Sequence, residues 1–404
     1  MIRLAYGNDS IEFALHRHAE ILSIQEPTIR ISEEIFRHGI TPFLKQLLPT
    51  DNLAIVVADK TRLCGYETVL PWLVKSLREK GLRRQQITFY IAYGTHQPQD
   101  DRTCRHCYGQ VYDEYHFIHH HCDHAQFTEL GKTQRGTPIL ICQDILESDA
   151  ILTIGAVSHH YFAGYGGGRK LLFPGLAERS AIHSNHSLYL NRQTGNLEEQ
   201  CQPGSLDTNP IAEDLKEINS YLPDYFSIHG ILNSDGQLAD FLFGSGYDVF
   251  LSACSRLDGY YRHENTKEFD IVLASAGGSP KDINFIQAHK AIHNSSRFVR
   301  EGGQLIMLAR CPDQIGSTTF LPYFSKNGFT QAFAGLIDKY SGNGGTALAM
   351  MKKTDRIAIS LLTDLTPDTC KKIGVQKWDI TRIQNALADE DTSLAIIPNA
   401  SLLI

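Results

Sequence analysis

Short runs of almost wholly apolar residues, each ending abruptly in polar or glycine-rich sequence, constrain this chain more than any other feature. Leu53–Ala58 (LAIVVA) ends in Asp59-Lys60-Thr61-Arg62, and Ile87–Ala92 ends in Gly94-Thr95-His96-Gln97-Pro98. A third run, 151–154, leads into the histidine- and glycine-rich segment 159–170. Strands buried on both faces have this composition, because a parallel sheet is covered by helices on either side. Residues 69–80 between the first two runs place Leu70, Leu73, Val74 and Leu77 at i, i+3, i+4, i+7, the stripe of an amphipathic helix. The pattern predicts an α/β fold with open, mostly parallel sheets, in which ligands sit beyond the strand carboxyl ends.

The grammar restarts after the polar residues Asn265-Thr266-Lys267-Glu268. Residues 270–275 (DIVLAS) form another buried-strand run, Gly277-Gly278-Ser279-Pro280 break it, 282–298 read as a helix and 304–309 as a strand. With 404 residues, two domains are expected, 1–264 and 265–404. No internal repeat or heptad run interrupts that division.

Composition removes several function classes. Lys plus Arg is 38 against 45 for Asp plus Glu, a net charge of −7, so there is no basic excess to displace counterions from nucleic acid. No window approaches the ~18 uninterrupted apolar residues of a membrane helix. The start, MIRLAYGNDSIEF, lacks the apolar core of a secretory signal. Nine cysteines, odd in number and scattered, do not form a disulfide framework, which points to a reduced, cytoplasmic protein. The 18 histidines are the one oddity, and many fall between His96 and His186.

Within that interval, Gly164, Gly166, Gly167 and Gly168 leave the backbone bare, and Arg169 and Lys170 add positive charge. This suits either a phosphate or mononucleotide cradle or a flexible surface turn. It is neither a dinucleotide fingerprint, since Arg169 stands where a third glycine belongs, nor a Walker loop, since Leu171 follows Lys170. His183 and His186 share a helical face and suit a metal pair or hydrogen-bonded surface histidines. Asp59, Thr61 and Arg62 at a strand tip suit anion binding or the capping of the next helix. His96 lies at the neighbouring tip, so Arg62, His96 and His160 are expected to face one cleft. Zinc held by Cys104, Cys107, Cys122 and a histidine of the His119–His124 run lacks a second knuckle. A strand over 115–122 would also send neighbouring side chains to opposite faces. Gln287 and Lys290 share a face of the later helix.

Taken together, Asp59-x-Thr61-Arg62, Gly94-Thr95-His96, His160, Gly167-Gly168-Arg169-Lys170, Pro174-Gly175, His186 and Gln287-x-x-Lys290 resemble the nickel-dependent lactate racemase family in order and spacing. The resemblance implies a nickel-pincer nucleotide, a pyridinium mononucleotide whose two thio-acid arms hold nickel, in a cleft between an N-terminal catalytic and tethering domain and a C-terminal domain. Lys170 would carry the covalent tether and His186 would ligate nickel, which suits imidazole. His96 and His160 would be the acid/base pair. Asp59, Thr61, Arg62, Gly166, Gly167 and Gly168 would contact the cofactor, and Arg62, Gln287 and Lys290 the substrate. The implied activity is racemisation or epimerisation of a 2-hydroxy acid by reversible hydride transfer through a 2-keto acid. That route avoids abstracting a barely acidic α-proton. Partners would be the small hydroxy acid and, transiently, cofactor-synthesis proteins. Two positions depart from the family: Ile286 replaces an aromatic hydroxyl, and Gly166 replaces the usual serine before two glycines. The alternatives are an epimerase of a larger hydroxy acid or sugar acid on the same cofactor, or a nickel- or zinc-binding storage or sensing protein.

Overall fold

The computed structural model describes residues 1–15, 18–264 and 267–404; Asn265 and Thr266 of the expected linker lie outside the described residues. The chain forms two compact units. The larger comprises Glu26–Leu188 and Gln200–Gly259, the smaller Met1–Gln25, Tyr189–Glu199 and Tyr260–Ile404.

The larger unit is built on β1 (Leu53–Ala58), α1 (Tyr66–Glu79), β2 (Ile87–Ala92), β3 (His116–His119), β4 (Ala150–Ala156), the short hairpin β5 (Ser158–His160) and β6 (Gly164–Gly166), α2 (Arg179–Ser187), β7 (Phe226–Leu232), β8 (Leu238–Ser245) and α3 (Tyr247–Tyr261). Its main sheet runs β8-β7-β4-β1-β2-β3. Only β8 is antiparallel to its neighbour. All residues of β1 are buried, as an apolar run without a polar face requires. Helix α1 starts at Tyr66, one turn before the expected Val69, after Gly65 at φ +60°. The extra turn delivers the Tyr66 hydroxyl, which receives the Ala58 N–H at 2.7 Å and donates to the Ile154 carbonyl at 2.8 Å. Tyr108 donates to the Ala58 carbonyl at 2.9 Å. Two phenols thus satisfy the last residue of β1 where the strands diverge, so the sheet opens there without orphaned backbone groups.

The smaller unit holds an all-parallel sheet of β9 (Phe269–Ser275), β10 (Val299–Leu308), β11 (Ala358–Leu362), β12 (Gln376–Lys377) and β13 (Leu394–Ile397), with α4 (Phe285–Ser295) and α5 (Gly344–Arg356) among its helices. Helix α4 is shorter than the expected 282–298. Asn284 caps its start by accepting the Gln287 N–H, and Ser296–Phe298 continues as a 3-10 turn.

The compact units differ from the expected division at 264/265: the smaller one also takes in Met1–Gln25 and Tyr189–Glu199, and its last segment starts at Tyr260. Glu20–Ile21 adds a parallel strand to the free edge of β13, and the hairpin of Ile2–Tyr6 and Asp9–Phe13 buries Leu4 and Phe13 against Ile271, Ile306 and Ile396. Covering an exposed sheet edge and an apolar face draws the first 25 residues into the C-terminal unit. All nine cysteines are free and buried. Among the described residues no helix is long and apolar enough to cross a membrane.

Candidate functional site

Strands β1, β2 and β4 are parallel and adjacent, so their carboxyl ends lie along one edge of the sheet. Each ends in alanine, and Ala58, Ala92 and Ala156 floor a cavity of about 110 Å³. Side chains of Asp59, Arg62, His96, His160, Lys170 and His186 line it, together with Tyr93, Thr95, Leu171, Pro174 and Ile182 and the backbone of Gly167. Every lining residue belongs to the larger unit.

Asp59 is the anchor of this arrangement. Its Oδ1 accepts the Thr61 N–H at 2.8 Å and the Thr61 hydroxyl at 2.6 Å, and its Oδ2 lies 2.6 Å from His96 Nδ1. Burial pushes this carboxyl up, but the bonds from His96 and Thr61 and the charges of His96 and Arg62 hold it below the ordinary aspartate range. Thr61 therefore turns inward to fix Asp59 and does not line the cavity.

His160 ends β5 opposite Gly164 of β6. Gly164 sits at φ +74°, and a Cβ there would come within 2.0 Å of the Ser205 carbonyl, so this crossing needs glycine. The Ala163 N–H reaches His160 Nδ1 at 3.3 Å. The chain then passes Gly167 and tightens into a 3-10 turn, Gly168–Leu171, that carries Lys170. Burial and the neighbouring Arg62 and Arg169 lower the Lys170 amine well below an ordinary lysine. His186 comes from α2, whose first turn is capped by the Glu178 carboxylate. Burial, with Lys170 next, pushes its imidazole down to about 3. One buried ring organises three of these groups. Phe162 meets His160 edge-on at 4.6 Å and His186 at 5.1 Å, and the Lys170 amine lies 5.7 Å from its centre. Nothing in the local sequence distinguishes Phe162 from any other core aromatic.

Other expected members lie elsewhere. Gly166 packs against Ser158 and Gly168 against Phe250 and His229, so Gly167 alone of the three reaches the cavity. Arg169 turns away from it onto the Phe250 ring, 4.4 Å from its centre. His183 shares α2 with His186 but does not line the cavity. Gln287 and Lys290 lie on α4 in the smaller unit, where the Lys290 amine donates to the Gln287 carbonyl oxygen at 2.7 Å. Cys104 and Cys107 are buried in the helix Asp101–Tyr108, and His119 bonds the hydroxyls of Tyr93 and Tyr112. Among the described residues no three His, Cys, Asp or Glu side chains form a metal cage.

The chain matches two family models, the lactate racemase N-terminal domain over residues 6–197 and the lactate racemase C-terminal domain over 264–346. It is 26% identical over 339 residues to a lactate racemase of Thermoanaerobacterium thermosaccharolyticum, covering 81% of this chain and 78% of that protein. It is also 26% identical over 276 residues to one of Lactiplantibacillus plantarum, covering 67% of this chain and 62% of that protein. Among solved structures, the lactate racemase apoprotein from T. thermosaccharolyticum superposes with a TM-score of 0.87 at 22% identity, covering 100% of this chain and 99% of that one. A Thermotoga maritima protein superposes with a TM-score of 0.69 at 18% identity, over 94% and 99% of the two chains. With both family models matched in order along it, the chain belongs to the lactate racemase family.

Proposed function

We propose that this chain racemises or epimerises a 2-hydroxy acid, with lactate as the leading candidate, using a nickel-pincer nucleotide tethered at Lys170. The observation that carries this reading is a depressed lysine amine and a depressed imidazole, Lys170 and His186, lining one small cavity with two further histidines. The donor set fits the group. A neutral amine is the form that attacks an acyl or thioacyl carbon, and a neutral imidazole is the form that ligates a metal. When bound, the group would supply a hydride acceptor that takes and returns the hydrogen on the hydroxy-bearing carbon.

The protein's own residues account for the rest. His96 and His160 each serve one enantiomer by taking or returning its hydroxyl proton. Asp59 holds the His96 ring so that Nε2 is free for that task. The Arg62 guanidinium binds the carboxylate as a planar fork and keeps the reacting carbon in place. Gln287 and Lys290 are the further substrate contacts in this reading, and Thr61, Gly166 and Gly168 support the cofactor-binding backbone. The reading takes the protein to be cytoplasmic, with cofactor-synthesis proteins as transient partners.

The test is intact-protein mass spectrometry after co-expression with the cofactor-synthesis proteins, followed by racemisation assays on a panel of 2-hydroxy acids. A nucleotide-sized adduct containing sulfur and nickel, absent from Lys170→Ala, is expected. An unmodified mass under demonstrated cofactor supply would overturn the tether, and turnover of sugar acids but not lactate would move the substrate to the larger class.

A further inference from the structure

Each functional position in the 159–170 segment has a chain neighbour that points the other way, onto α3. His159, next to His160, lies with Nε2 at 2.7 Å from Asp258 Oδ1. Tyr165, between two glycines, donates its hydroxyl to Asp258 Oδ2 at 2.7 Å. Arg169, next to Lys170, rests its guanidinium on the rings of Phe250 and Tyr247 at 4.4 and 5.8 Å. Tyr247, Phe250 and Asp258 recur at near-helical spacing, so one stripe of α3 receives the three side chains that turn away from the cavity.

His159 and Tyr165 are directly paired across β5 and β6, with ring centres 5.2 Å apart. A two-stranded hairpin with three residues in each strand has little stability of its own. Slipping its register by one residue would send His160 to the opposite face. A carboxylate that accepts from both members of a cross-strand pair ties the strands together in one register, through bonds strengthened by its charge. The His159 side chain is 6% exposed and that of Asp258 23%, so little water competes for these bonds.

We propose that Asp258 is a positioning residue for His160, acting through His159 and Tyr165 to lock the register of the hairpin that presents His160 to the cavity. The catalytic part of this role rests on the reading of His160 as one of the two acid/base groups.

The experiment compares wild type with Asp258→Asn, which weakens both bonds by removing the charge, and Tyr165→Phe, which removes one of them, each keeping the shape. In the cofactor-free protein, amide exchange over 158–166 should rise at least ten-fold, with exchange in β1 and β4 unchanged. The rate at which diethyl pyrocarbonate modifies His160 should change at least three-fold, with that of the exposed His124 unchanged. In the cofactor-loaded protein, kcat should fall at least ten-fold with KM within two-fold. Unchanged exchange and His160 reactivity in folded Asp258→Asn overturn the proposal; if that variant does not fold, Tyr165→Phe decides by the same criteria. The first two measurements need no cofactor. A protein that loads cofactor but never racemises, yet shows the loosened hairpin, overturns the proposed function and leaves the positioning role standing. A working racemase with an unaltered hairpin does the reverse.

Discussion

Asp59 Oδ2 lies 2.6 Å from His96 Nδ1, with the carboxylate side chain 5% exposed and the imidazole 49% exposed. Because Thr61 occupies the other oxygen with two bonds, the carboxylate cannot rotate away, and a half-open ring is held by a closed anchor. The anchor fixes which ring nitrogen faces the cavity, which is the requirement for a proton-transfer group. Asp59→Asn keeps the shape but lets the amide present either an acceptor or a donor to the ring. Initial-rate racemisation by the loaded variant should show kcat reduced about 100-fold or more, with KM changed far less. A variant with wild-type kcat would mean that His96 is not the acid/base group.

The glycines of the 164–168 loop differ in what they tolerate. Gly167 sits at φ +74°, and a Cβ would lie 2.3 Å from the Ala156 carbonyl, in backbone that cannot yield. Gly166 has no such φ, and its Cβ would meet only the Ser158 hydroxyl at 3.0 Å, an atom that can rotate aside. Gly166→Ser should leave the melting temperature within about 2 °C, whereas Gly167→Ala should lower it by several degrees. Thermal melts of the two variants side by side check the contrast.

Acid should destabilise the fold through buried neutral histidines. Burial pushes His120 and His229 each down to about 4, against about 6.5 in the unfolded chain. Both are 2% exposed, and His120 Nδ1 and His229 Nε2 have no hydrogen-bond partner among the described residues. Between pH 6.5 and 4 the unfolded chain binds protons that the folded one refuses, so stability falls as pH falls. Each histidine contributes a loss on the order of 3 kcal/mol, complete below about pH 4. Urea unfolding at pH 7, 6 and 5 should show the decline, and His229→Gln should flatten it. An unchanged slope would mean that His229 is already charged in the fold.

Strands β1 and β2 were legible to the residue, because a strand that is mostly buried stays apolar, Thr88 apart, until it ends. The same logic put Arg62, His96 and His160 around one cavity, since parallel tips share an edge. What the sequence hid depends on distant partners. The start of α1 is set by a phenol reaching a carbonyl 88 residues away. The first 25 residues carry strand alternation but no local sign of which sheet they complete. Asp258 lies 99 residues from His159, and a lone aspartate on an amphipathic helix looks like solvent-facing charge. Gly168 looks like a phosphate-loop glycine, yet a Cβ there would also meet the Phe250 ring at 2.5 Å, a constraint that only neighbours across the fold reveal.

Arg169 is held at a cost that its removal should reveal. It is 2% exposed, its Nε, Nη1 and Nη2 have no hydrogen-bond partner among the described residues, and burial lowers its guanidinium below the usual arginine value. Phe250 and Tyr247 offer ring faces worth about 2 kcal/mol, less than the several kcal/mol of taking an unpaired charge out of water. Arg169→Met fills similar volume without the charge, so it should raise the melting temperature, by a gain of roughly 1–4 kcal/mol. A residue kept at such expense beside Lys170 is expected to matter for function, because positive charge there helps keep the neighbouring amine uncharged. The stabilised variant should therefore carry less of the Lys170 adduct than wild type under the same cofactor supply, measured by intact mass on the sample used for the melt. A lower melting temperature would show instead that the guanidinium finds a compensating partner in solution. Undiminished adduct in a stabilised protein would separate Arg169 from the chemistry of Lys170.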